Sequence, residues 1–173
     1  HLHIQIASTT LHSGISNPYN WTSRAGASYK ALGDTLTGYA VQPGTGVSGT
    51  MAIFGRNNIY ILYGTSAGDW QYDTYAEGVG ARDYSAQIIG GTYFLDDRGV
   101  TNLVASQNFG NFDQSTITNN ISTFINAKRN LVSYSSISRE RSQYRLFFSD
   151  GYALYATIVN WKVIGLSQTK FDT

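Results

Sequence analysis

Two segments, Ile59-Tyr60-Ile61-Leu62-Tyr63 and Tyr152-Ala153-Leu154-Tyr155-Ala156, are apolar at consecutive positions, and each follows a short turn containing glycine. A strand with one wet face alternates apolar and polar residues, so unbroken runs require cover on both faces. Parallel sheets obtain that cover from crossover helices, but the turns here are too short for crossovers. Small antiparallel sheets stacked face to face meet the requirement, and so does a β-propeller, which packs each blade between two others. A simple sandwich is the rival, since it covers its strands on one face only.

Three segments share one design: an apolar pair, a glycine-containing turn and a tyrosine-led apolar triplet. They are Ile53 to Leu62 around Gly55-Arg56-Asn57-Asn58, Ile88 to Leu95 around Gly90-Gly91, and Phe147 to Leu154 around Asp150-Gly151. Each is a hairpin signature, because Gly-Gly and Asp-Gly supply the positive φ of tight turns while tyrosine and branched residues favour the flanking strands. The first two turns lie about 35 residues apart, near the length of one four-stranded blade. The third is delayed by an insertion, 106–130. Within it, Ile121 to Lys128 has the spacing of one short amphipathic helix, near 118–129, with Ser115 or Thr118 as its cap. Strands are then expected at Leu131 to Ile137, Gln143 to Ser149, Tyr152 to Val159 and Lys162 to Leu166, a complete four-stranded meander.

Residues 1–48 read as a looped lead-in, punctuated by Asn17-Pro18, Gly33-Asp34 and Pro43-Gly44-Thr45-Gly46, with short strands at Ile4-Gln5-Ile6 and Tyr39-Ala40-Val41. Residues 49–173 read as the meander domain. The expected fold is therefore all-β, antiparallel meanders resembling partial propeller blades with one short helix. About two and a half blades are supplied where closed propellers start at four, so the ring is expected to be completed elsewhere.

Composition agrees with strands and turns: 18 Gly and 13 Tyr among 173 residues, with only 13% charged. A net charge of +1 gives no global field for nucleic acid or an anionic membrane. Absence of cysteine excludes disulfides, thiol catalysis and Cys-ligated zinc. No apolar run approaches the roughly 20 residues that span a bilayer, so a soluble chain without a membrane partner is expected. The opening at His1 shows no signal-peptide pattern and reads as a processed product or a piece of a longer polypeptide.

No constellation for catalysis emerges. Asp96-Asp97-Arg98-Gly99 and Asp150-Gly151 are turn chemistry, and Asp113 lies ahead of the helix without an acidic partner. His1, His3 and His12 lack the neighbouring acids that a metal site needs, and no phosphate loop or nucleophile motif occurs. Catalytic residues, cofactor and metal are accordingly expected to be none. Two surface candidates remain. Trp70, Tyr72 and Tyr75 offer flat rings for packing against another chain or for stacking on a sugar. Arg139, Arg141 and Arg145, in the mixed-charge stretch Arg139 to Arg145, suit a solvated hairpin end or a subunit contact better than nucleic acid.

Three passages carry a resemblance: Asn17-Pro18-Tyr19-Asn20-Trp21-Thr22-Ser23, Thr92 to Val100, and Ser138 to Gly151 with its Gln143-Tyr144-Arg145 and Asp150-Gly151. They resemble tailed-bacteriophage virion proteins of the tail hub or nozzle type, over most of residues 17 to 160. The resemblance implies a structural role in a homo-oligomeric ring around the DNA exit channel, with other virion tail proteins as partners and passive contact with DNA. It also implies synthesis in the bacterial host cytoplasm and residence in the virion tail. The chain departs from that group in being short. A carbohydrate- or receptor-binding module of a tail tip, built on Trp70, is the second expectation, and a propeller-type glycosidase the third.

Overall fold

The computed structural model describes residues 1–42, 50–64, 67–103, 116–160 and 162–171, and its fourteen strands form four antiparallel meanders. The chain divides into two compact units, His1–Gly78 and Val79–Thr173. The Pro43 to Gly46 turn, Asp113 and the Ser115 cap fall outside the described residues.

In the first unit, β1 (His3–Ile6), β2 (Thr9–His12) and β3 (Ser28–Ala31) make a three-stranded sheet. Beside it β4 (Leu36–Gln42), β5 (Thr50–Gly55), β6 (Asn58–Tyr63) and β7 (Gln71–Glu77) make a four-stranded one. The composition shift lies at 48/49; β4 pairs with β5 across it, Ala40 opposite Ala52, within the first compact unit. The strands expected at Ile4 to Ile6 and Tyr39 to Val41 are present, and β2 and β3 are additional. Thr9-Thr10-Leu11-His12 and Ser28-Tyr29-Lys30-Ala31 carry too few apolar residues to announce themselves.

The β5–β6 hairpin closes with Phe54 opposite Ile59. On one face Leu36, Ile53, Tyr60 and Leu62 form a cluster with Tyr39, Met51, Trp70 and Tyr72 against it, while Ala52, Phe54, Ile59 and Ile61 on the other face are buried as well. Two-faced burial of this run is thus realised. The hairpin is locked from a distance by the buried Asp34. Its Oδ2 accepts the backbone N–H of Asn57 at 2.7 Å and of Asn58 at 2.8 Å, and its Oδ1 accepts the Asn57 amide at 3.1 Å. Gly55 is the residue that lets the carboxylate in, because a Cβ there would lie 2.3 Å from Asp34 Oδ2.

In the second unit, β8 (Gln87–Ile89), β9 (Gly91–Asp96) and β10 (Gly99–Asn102) form a meander. The helix α1 (Ser122–Lys128) follows, flanked by single 3-10 turns at Asn119–Ile121 and Arg129–Leu131. The last meander is β11 (Val132–Ser138), β12 (Gln143–Phe148), β13 (Tyr152–Val159) and β14 (Lys162–Lys170), within a few residues of the four expected strands. Tyr93 and Leu95 of β9 pack with Tyr144, Leu146 and Phe148 of β12, with Leu154, Ala156 and Ile158 of β13, and with Ile125 of α1. The Tyr144 hydroxyl donates to the Ser85 carbonyl at 2.6 Å, and complete burial pushes its phenol well above the usual range.

The helix forms where its apolar spacing places it, but Thr118 does not cap it. Ile121 occupies the N-cap position, and the Thr118 hydroxyl instead accepts the Val100 N–H at 3.0 Å, tying the helix approach to β10. Asp96-Asp97-Arg98-Gly99 closes β9 onto β10, with Asp96 opposite Gly99. Arg98 pairs with Asp96 at 2.9 Å and Arg82 with Asp97 at 2.5 Å.

Asp34→Ala deletes the acceptor of two backbone N–H groups and should cost about 2 kcal/mol in urea unfolding. Gly55→Ala should cost a similar amount through its clash, and the double variant should cost clearly less than the sum, since removing the carboxylate relieves the crowding. Strict additivity in that cycle would refute the lock.

Candidate functional site

The first sheet is built inside out. Register places Ile4, Leu11 and Tyr29 in one row across β1, β2 and β3, and His3, His12 and Ser28 in the next. Alternation sends the two rows to opposite faces. The polar face of β1 and β2 is turned inward: Thr10 and His12 are buried, and the Tyr39 hydroxyl, from β4, donates at 2.9 Å to Thr10 Oγ1, whereas every residue of β3 is exposed. The apolar face is turned outward, with Ile4 37%, Ile6 60% and Tyr29 74% exposed and Leu11 half-buried between them. A sheet that served only the core of this chain would have the opposite register.

The inward imidazoles gather on one indole. Ring centroids of His1, His3 and His12 lie 4.9, 5.2 and 4.7 Å from Trp70, and the His1 and His12 contacts are edge-on. Gly64 permits the approach of this loop, because a Cβ there would meet Trp70 Cδ1 at 2.9 Å. The rings contact one another, yet among the described residues no three His, Cys, Asp or Glu side chains form a group able to hold a metal ion. His3 Nδ1 and Gln5 Oε1 are buried without a hydrogen-bond partner among the described residues. Burial first, and the neighbouring His12 second, pull the His3 imidazole down to about 4.

Beside the indole lies a groove of about 460 Å³ lined by His12, Tyr29, Lys30, Trp70 and Tyr72. Trp70 and Tyr72 are therefore brought together, but Tyr75 is not among the lining residues. It is the extra residue of a bulge where β7 pairs β6, Ile59 opposing Ala76 and Tyr60 opposing Thr74. Burial and the adjacent Tyr63 raise the Tyr75 phenol, whereas burial and Tyr39, on the other face of the sheet, raise that of Tyr72. The step of three from Tyr72 to Tyr75, against two from Trp70 to Tyr72, is the signal in the sequence for this split, since residues an odd number apart on a strand point to opposite faces.

The three arginines belong to the second unit. Arg139 and Arg141 are exposed in the β11–β12 turn, closed by the Ser142 N–H to the Arg139 carbonyl at 3.1 Å. Arg145 stands on β12, its Nη2 2.8 Å from Gln143 Oε1 and its guanidinium 5.3 Å from the centre of the Tyr155 ring. It joins an aromatic row that sequence reasoning missed. Tyr134 stacks on Phe147 at 4.5 Å, and Phe147 contacts Tyr155 and Phe171, each at 6.4 Å. Period-two alternation in β12, Gln143-Tyr144-Arg145-Leu146-Phe147-Phe148, was the available signal: Tyr144, Leu146 and Phe148 are buried, leaving Arg145 and Phe147 on the outer face. No acidic residue occurs in β11 to β14.

Asp150 lies in the β12–β13 turn. Its carboxylate pairs with Lys128 of α1, whose ammonium also lies 4.0 Å above the Tyr152 ring, and that hydrogen bond lowers the Asp150 carboxyl. No helix among the described residues is long and apolar enough to cross a membrane. No protein-family model matches the chain, and no curated protein matches it in sequence.

The folded state of His3 rejects a proton that the unfolded chain accepts near 6.5, so its contribution is complete above that pH and is lost as the pH falls toward 4. The unfolding free energy from urea titrations should drop between pH 7 and pH 4.5, by about 1 kcal/mol once the solvent screening of a half-exposed ring is allowed for. His3→Phe should flatten that part of the profile.

Proposed function

We propose that this protein is a structural component that acts by packing its sheets against other polypeptide chains, without catalysis, as in the tail assemblies of tailed bacteriophages. The observation that carries the reading is the first sheet, which exposes Ile4, Ile6 and Tyr29 on one face, with Leu11 half-buried among them, while histidine, threonine and glutamine of β1 and β2 face inward. Spending apolar side chains on the outside is favourable only if another surface covers them. The aromatic row Tyr134, Phe147, Tyr155 and Phe171 with Arg145 supports it, since aromatic residues and arginine are enriched where chains meet and acids are depleted. The four-stranded meanders β4–β7 and β11–β14 have the strand order of propeller blades, and placement in a hub or nozzle ring of a virion rests on that likeness together with the sequence passages described above.

A carbohydrate-binding role has one observation in its favour, the groove beside Trp70 with the exposed Tyr29. Three imidazoles already press on that indole, so packing accounts for Trp70 better than a sugar platform does.

Mass spectrometry of purified tailed-phage particles from the source of the chain should find it in stoichiometric amount. Ile4→Lys with Ile6→Lys should leave the stability of the isolated chain within about 0.5 kcal/mol, because both positions are exposed, while abolishing incorporation into particles. A chain that sediments as a monomer and binds nothing from the particle would end this proposal, and glycan-array binding lost in Trp70→Ala would favour the sugar reading.

A further inference from the structure

The last strand leaves one edge of its sheet open beside an apolar groove. The Phe171 N–H donates to the Gly151 carbonyl at 2.8 Å, and Tyr152 stands opposite Lys170. Hydrogen-bonded and non-hydrogen-bonded pairs alternate in an antiparallel ladder, so the 153/169, 155/167 and 157/165 pairs are bonded to each other. The peptide groups of Leu166, Gln168 and Lys170 therefore point away from β13, and among the described residues nothing pairs with them. The opposite edge of the sheet is treated differently. There Gln87, on β8, donates to the Ser135 carbonyl of β11 at 3.1 Å.

The side chains on the inner face of the open edge line a cavity of about 440 Å³, banked by Ile121 and Phe124 on the helix side and by Leu154, Leu166 and Gln168 on the sheet side. A second cavity of about 290 Å³ shares Ile121 and Leu166 with it and extends along β14 to Val163 and Ile164. An edge strand facing a helix across an apolar groove is the arrangement in which a peptide adds as a further strand, bonding through its backbone and placing alternate side chains in the groove.

Charge selects the occupant. Two copies of β14 paired antiparallel about Leu166 would set Lys162 opposite Lys170 at both ends, and directly opposed like charges are destabilising. We propose that β14 receives an extended segment of another protein, apolar at alternate positions and acidic at its ends, as a fifth strand. This deepens the packing role proposed above, yet its test needs only the isolated chain, so failure here and failure of the particle experiment are separate results.

The probe is a nine-residue peptide with valine at alternate positions, threonine between them and aspartate at both ends, followed by fluorescence anisotropy and amide hydrogen exchange. It should bind, slow exchange at Leu166, Gln168 and Lys170, and bind at least about tenfold more tightly than a lysine-ended counterpart. Gln168→Pro removes an N–H that the ladder does not use, so it should keep the urea midpoint and weaken peptide binding about tenfold or more. Leu166→Asp, which keeps every ladder bond and sets a carboxylate in the groove, should weaken peptide binding likewise, at some cost in the urea midpoint because Leu166 packs against the core cluster. Undiminished binding by both variants, no binding of the acid-ended peptide, or dimerisation of the free chain through β14 would each overturn the proposal.

Discussion

Adjacent side chains on a strand point to opposite faces, so a run such as Ile59-Tyr60-Ile61-Leu62 can be dry only if something lies on both sides of its sheet. That requirement organises the molecule. It is met at β6, where all four of these residues are buried, and at β9, where six consecutive residues from Gly91 to Asp96 are buried. Each unit then needs a second layer. The first supplies β1–β3 and the second supplies β8–β10 with α1, and the choice of what those layers turn inward decides what they leave outside.

The two units resolve the choice in opposite ways. In the second, apolar residues from β9, β12, β13 and α1 meet in one cluster, and the aromatic row on the far side of β11–β14 is what remains when the core is already filled. In the first, the covering sheet turns histidine, threonine and glutamine inward, toward Tyr39 and Trp70, and keeps its isoleucines outside. Buried polar atoms without partners among the described residues, His3 Nδ1 and Gln5 Oε1, are the cost of that register, and His3 makes the layer sensitive to acid.

Much of the architecture was legible. Gly55-Arg56-Asn57-Asn58, Gly90-Gly91 and Asp150-Gly151 announced hairpins because turn backbones demand particular residues, and the final four strands followed from apolar runs of ordinary strand length. Strands β2 and β3 were not legible, since Thr9 to His12 and Ser28 to Ala31 owe their conformation to neighbours rather than to pattern. The aromatic candidates were half legible. Trp70 and Tyr72 do share a groove, but Tyr75, an odd three residues beyond Tyr72 and itself the extra residue of a bulge, is not among its lining residues.

By itself, then, the order of residues determined that the chain would be antiparallel β with a short helix near 118–129, because hairpin turns and two-sided apolar strands are local properties. Tertiary structure alone decided that Asp34 would hold a turn more than twenty residues away. It decided that three histidines would converge on Trp70, and that Leu166, Gln168 and Lys170 would offer their peptide groups to solvent beside an apolar groove. Those outcomes depend on which sheet faces which and on which ladder pairs are bonded, and neither is encoded in the spacing of residues along one strand.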